Sequence, residues 1–223
     1  SIAQGACASR PGMIWGNIIN RKLQHPVINL GFSGNGRLES ELFDLLTEID
    51  AKLFIIDNMP NMTNDRTSLI YERATAGIRK LREKSDAPIL LVEHNGYGNE
   101  LSSLEAENSY RKTNIELRKA YKDLKAEGIK NLYYLTKEEI GFHQDAMVEG
   151  VHPSDLGMQI YADAYISKIK DILNEDCDKR TVFIPCTQNR DPYNWIQRHE
   201  KVLKLNKEKA PQILMIGNSI THY

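Results

Sequence analysis

Four short segments carry residues whose chemistries fit one another: Ser1 with Ile2, the glycine cluster Gly31, Gly34 and Gly36, the stretch Asp57–Met62, and Glu149–His152. A serine hydroxyl is a weak nucleophile, and it needs a base, a carboxylate to orient that base, and donors for the oxyanion. His152 is the candidate base, and Glu149, three residues before it, is the orienting acid. The Ser1 and Gly34 amides and the Asn61 side chain would supply the oxyanion donors; Asn58 competes with Asn61, and Asn61 is preferred. Together these groups would perform acyl transfer, which requires no metal and no organic cofactor. A second serine, Ser219, stands in Gly217-Asn218-Ser219-Ile220-Thr221 and echoes Ser1-Ile2-Ala3-Gln4, so it is an alternative nucleophile.

Each residue also has a plainer use. His152 precedes a proline and a helical pattern, where Ser154 or Asp155 would serve as the N-cap. The glycine cluster would make an ordinary strand-end turn, and it lacks the Gly-Lys-Ser/Thr of a phosphate loop. His94 reads as structural, and His143 and His199 have no evident partners. The order of the four segments along the chain, rather than any one residue, raises the catalytic reading above these.

Such groups meet only if secondary structure brings them to one edge. Pro26–Leu30, Leu53–Ile56, Pro88–Val92 and Asn131–Leu135 are short apolar runs that predict buried strands. Between and after them, apolar residues recur at helical spacing over Ser40–Ile49, Arg66–Lys84, Ser102–Glu127 and Leu156–Leu173. Strands followed by helices predict an α/β fold, three-layered α/β/α with a parallel sheet of about five strands. In such sheets functional loops lie at the carboxyl ends of the strands, which is where the second and third segments fall.

The 223 residues include 29 basic and 30 acidic side chains, a formal charge of −1, which gives no electrostatic case for nucleic acid or an anionic membrane as partner. No apolar stretch reaches the ~18 residues of a membrane span. Cys7, Cys177 and Cys186 lack zinc-type spacing; Cys177 and Cys186 would pair in a secreted protein, but free thiols are the preferred reading. Residues 1–175 read as the main domain. Residues 176–223 read as a linker and the opening of a second unit of the same kind. Ser1 needs a central strand before it; Gln212–Ile216 would fill that slot in a second, less favoured reading.

The ordered segments resemble the SGNH hydrolase superfamily, the GDSL-like lipases and acylhydrolases, and its bacterial carbohydrate-esterase-like branch. Ser1–Gly5 resembles the first family block, Asn29–Gly36 the second, Asp57–Met62 the third and Glu149–Pro153 the fifth. Ser9-Arg10-Pro11-Gly12 and Asp57-Asn58-Met59-Pro60-Asn61-Met62 are similar to wording found in the bacterial acylhydrolases. The resemblance implies a serine esterase acting on an acylated, foremost acetylated, carbohydrate or a small ester. A leader for a secreted or periplasmic location and a second SGNH domain are further expectations. A lysophospholipase or thioesterase, or a non-catalytic glycan-binding module, are the rivals. Glu149 departs from the usual aspartate. Its extra methylene moves the carboxylate by ~1.5 Å, so a different rotamer must rebuild the bond to the imidazole; Asp145, a backbone carbonyl, or a Ser-His dyad are the fallbacks.

Overall fold

The computed structural model describes residues 2–100, 103–175, 200, 204 and the backbone of 213–217. The predicted apolar runs form strands β1 (Val27–Asn29), β2 (Phe54–Asp57), β3 (Ile89–Val92) and β4 (Leu132–Leu135). β2, β3 and β4 pair in parallel, with Phe54 opposite Ile89 and Ile89 opposite Leu132. β2 and β3 are buried along their whole length, so each must be apolar at successive positions, unlike a strand with one wet face. Successive side chains of these strands serve two different cores.

On one face, Phe54, Ile56, Ile89 and Leu91 pack with α2 (Ser40–Leu46), α3 (Ile70–Arg82) and α4 (Leu104–Ala126). On the other, Leu53, Ile55, Leu90 and Val92 pack with α1 (Trp15–Leu23) and α6 (Asp155–Leu173). Each fully buried Leu or Ile here contributes roughly 1.5–3 kcal/mol of burial.

Helix ends follow local chemistry. α4 starts where the Ser103 hydroxyl accepts the Ala106 N–H at 3.2 Å. α3 starts later than its periodicity suggests, because 64–69 wind into 3-10 turns instead. α1 was not anticipated, although Trp15, Ile18, Ile19 and Leu23 have helical spacing and are all buried. Trp15 stacks on Tyr165 of α6 with ring centroids 4.5 Å apart, which joins the two helices of that face.

The run expected to open a second unit lies in this sheet. The backbone of β7 (Ile213–Gly217) pairs in parallel with β1 on one side, Val27 opposite Ile213, and with β2 on the other, Asp57 opposite Gly217. The order becomes β1–β7–β2–β3–β4. This is the slot that the second reading gives the run. The physical reason is the backbone: β1 and the free side of β2 each present N–H and C=O groups that only an intervening strand satisfies.

Beyond β4 come α5 (Lys137–Ile140) and a small antiparallel hairpin, β5 (Met147–Glu149) with β6 (His152–Pro153). Neither was foreseen. α5 carries a capping box: the Thr136 hydroxyl accepts the Glu139 N–H, and the Glu139 carboxylate accepts the Thr136 N–H.

Candidate active site

The β5–β6 hairpin brings Glu149 and His152 together. The Glu149 carboxylate Oε1 takes the ring Nδ1 of His152 and also accepts the His152 backbone N–H at 3.1 Å. A carboxylate only accepts, so Nδ1 carries a proton, and in the neutral imidazole Nε2 keeps its lone pair. The extra methylene of glutamate is accommodated because Glu149 sits across a tight turn from His152, with Gly150 at φ +40°. That turn is braced from outside, where the Gly98 N–H donates to the Gly150 carbonyl at 2.7 Å. The glutamate therefore reaches the imidazole without the fallbacks considered above.

The capping question is also answered. Ser154 caps α6, its hydroxyl accepting the Gly157 N–H at 3.4 Å. Asp155 is used elsewhere: it accepts the Ser9 amide at 2.8 Å and the Ser9 hydroxyl at 2.5 Å. Those two donors hold the Asp155 carboxyl below its ordinary range. Ser9 of the Ser-Arg-Pro-Gly motif thus clamps the N-terminal segment to the helix that follows His152.

That segment is the hub. The Ile2 carbonyl accepts the Trp15 indole N–H at 3.0 Å, and the Ala3 carbonyl accepts from the Asn29 side-chain amide. Asn29 also accepts the Gly31 N–H at 2.9 Å, and a Cβ at Gly31 would stand 2.9 Å from the Gln4 backbone nitrogen. Further along, Phe32–Asn35 makes a tight turn closed by Asn35 N–H to the Phe32 carbonyl at 2.8 Å, with Gly34 at φ +74° and exposed. The third segment leans on this loop: the buried Asn58 amide donates to the Gly36 carbonyl at 2.6 Å, and the half-buried Asn61 amide donates to the Asn35 carbonyl at 3.3 Å. Asn58 is spent on holding the loop from inside. Asn61, at the outer side, is the freer donor.

At the other end of the hub, Cys7, at φ +62°, comes close to Glu149 and His152. Ligating atoms of the three all lie within 4.8 Å of one another. Partial desolvation, and after it the Glu149 charge, pushes the Cys7 thiol up from its ordinary value. Sequence reasoning set Cys7 aside because it has no partner at short spacing; the partners are some 140 residues away.

Ser1 and Ser219 lie outside the described residues, as do Cys177, Cys186 and His199. Among the described residues, no helix is long and apolar enough to cross a membrane.

At the carboxyl end of β2, Asp57 is fully buried. Burial drives its pKa from 3.8 to about 7, against the lowering effect of the Tyr165 hydroxyl, which donates to it at 3.0 Å. His94 is buried beyond β3: its Nδ1 accepts the Gly96 N–H at 2.9 Å, and burial, then Lys137, lowers its pKa to about 3.

The family profile of GDSL-like Lipase/Acylhydrolases matches residues 1–170. The chain belongs to that family. Among solved structures, this acylhydrolase-family chain is similar to a Bacteroides ovatus ATCC 8483 protein classed as a GDSL-like lipase, at 33% identity and TM-score 0.73, over 78% of this chain and 51% of that one. It is also similar to a salicylyl-acyltransferase from a tetracycline biosynthetic pathway, at 16% identity and TM-score 0.64, over 75% and 51% of the two chains. A two-domain esterase active on acetylated mannans follows at 18% identity and TM-score 0.55, over 85% and 52%. The last two likenesses show the fold alone. The chain spans about half the length of each of these structures. No curated protein matches.

Proposed function

We propose that this chain is a serine ester hydrolase that removes acyl groups, acetyl foremost, from a carbohydrate or a small ester. His152 takes the serine proton through Nε2 as the hydroxyl attacks the ester carbonyl. Glu149 fixes the tautomer and stabilises the imidazolium. The amides of Ser1 and Gly34 and the Asn61 side chain hold the tetrahedral oxyanion, and His152 then returns the proton to the departing alcohol; water, deprotonated by His152, next attacks the acyl-serine and releases the acid. The observation that carries this reading is the continuity of contacts: Ser9 joins the N-terminal segment to the helix that follows the Glu149–His152 pair, and that segment, the Gly31–Gly36 loop and the Asn58–Asn61 turn are hydrogen-bonded in sequence.

Ser1 is the preferred nucleophile, because the residues that follow it are tied to the oxyanion loop at Ala3 and, at Ser9, to the helix that follows the base. Ser219 is the second reading, favoured by the central place of β7, whose Gly217 lies opposite Asp57 two residues before that serine. Fluorophosphonate labelling of the purified chain decides between them. Loss of labelling in Ser1→Ala with retention in Ser219→Ala supports the first, and the reverse supports the second. Retention in both single variants and in the double variant would sink the serine-esterase proposal. A chain-length series of acetyl, butyryl and longer esters tests the acyl preference, with turnover expected to fall as the chain lengthens. The partner for the other half of the chain length seen in the relatives is proposed to be a second domain.

A further inference from the structure

Cys7, Glu149 and His152 present one thiol sulfur, one imidazole nitrogen and one carboxylate oxygen, all within 4.8 Å of one another. This mixture of ligand types suits zinc, which accepts sulfur, nitrogen and oxygen in a tetrahedral site and often takes only three protein ligands plus water. Zinc–ligand bonds of ~2.0–2.3 Å place tetrahedral ligands ~3.3–3.7 Å apart; the hydrogen-bonded Glu149–His152 pair is closer than that and must part, while Cys7 must approach by up to about an ångström. The side chains that must move are free to do so: Cys7 is exposed, and the Glu149 side chain is 51% exposed. The walls that carry them are not. Ser9 pins one to Asp155, and the Gly98–Gly150 hydrogen bond braces the other.

We propose that Cys7, Glu149 and His152 form an inhibitory binding site for zinc or a similarly thiophilic divalent cation. The ion takes a ring nitrogen of His152 in place of the imidazole's hydrogen bond to Glu149, takes the Glu149 carboxylate and the Cys7 sulfur, whose proton passes to solvent, and so removes both base and orienting acid from acyl transfer. The inhibitory part rests on the esterase reading above; the binding part does not.

The test uses the full chain in a Cys177→Ser/Cys186→Ser background, which leaves Cys7 as the sole thiol. Cobalt(II) is titrated as a spectroscopic stand-in for zinc, and thiolate-to-cobalt charge-transfer absorption is followed. A band that saturates at one ion per chain, is displaced by zinc, disappears in Cys7→Ser and weakens in His152→Ala and Glu149→Ala is the expected result. Absence of the band, or a band of unchanged affinity in both His152→Ala and Glu149→Ala, overturns the site. For inhibition, Cys7→Ser is expected to keep its metal-free esterase turnover while needing at least about tenfold more zinc for half-inhibition. Equal zinc sensitivity in Cys7→Ser, or loss of metal-free turnover in that variant, overturns the inhibitory role. A chain with no esterase activity would refute the proposed function, while the cobalt titration would still decide the site.

Discussion

Asp57→Asn should stabilise the protein increasingly as pH rises. Asp57 is sealed at the end of β2, and its one hydrogen-bond donor among the described residues, the Tyr165 hydroxyl, does not offset the cost of burying a charge. Its pKa therefore rises from 3.8 to about 7, so the folded state binds this proton more tightly than the unfolded chain does. The sign follows from linkage: the contribution of the neutral acid is complete below pH 3.8, is lost progressively up to about pH 7, and changes no further above it. At about 1.4 kcal/mol per pH unit, the loss amounts to about 4 kcal/mol. Asparagine keeps an acceptor for Tyr165 and carries no charge. Other carboxyls also titrate: Ser9 holds Asp155 low and Arg79 holds Glu127 low, which favours the fold as pH rises. The quantity to measure is thus the difference between wild type and Asp57→Asn. Urea unfolding at half-unit steps from pH 4 to 9, followed by tryptophan fluorescence, gives that difference. It should shift in favour of the variant by about 1.4 kcal/mol per unit up to about pH 7 and then level off. A difference independent of pH would refute the burial of a neutral acid at this position.

At the site, His152→Ala should lower kcat by about 10²–10⁴-fold on a chromogenic acetyl ester, with the fold intact by circular dichroism. Asn61→Ala should lower kcat by about 10²–10³-fold with little change in KM, whereas an equal loss in Asn58→Ala without unfolding would move the oxyanion role to Asn58. In the scaffold, Ser154→Ala removes the cap of α6 and should cost about 1 kcal/mol in urea unfolding. Gly77→Ala should cost roughly 1–3 kcal/mol, because its new Cβ would stand 2.2 Å from Phe43 Cε2; a neutral result would mean that α2 shifts away from α3.

The amino-acid sequence determined the strand runs and most helices, because burial on both faces of β2 and β3 demands unbroken apolar residues and the surrounding helices demand apolar stripes. The Glu149–His152 pair was legible for a similar reason: its members are three positions apart, and a tight turn closes that gap. α1 was readable in the spacing of Trp15, Ile18, Ile19 and Leu23, but it lies among glycine and proline residues that obscure the pattern. Contacts between residues far apart were not legible. No spacing rule links Ser9 to Asp155, Asn29 to Ala3, or Cys7 to Glu149 and His152. Nor does composition say that Asp57 is sealed against Tyr165, since an aspartate at a strand end is usually wet. The place of 213–217 is the clearest case. Its residues specify a strand, but strand pairing is settled by which backbone edges lack a partner, and only the assembled sheet leaves that gap between β1 and β2.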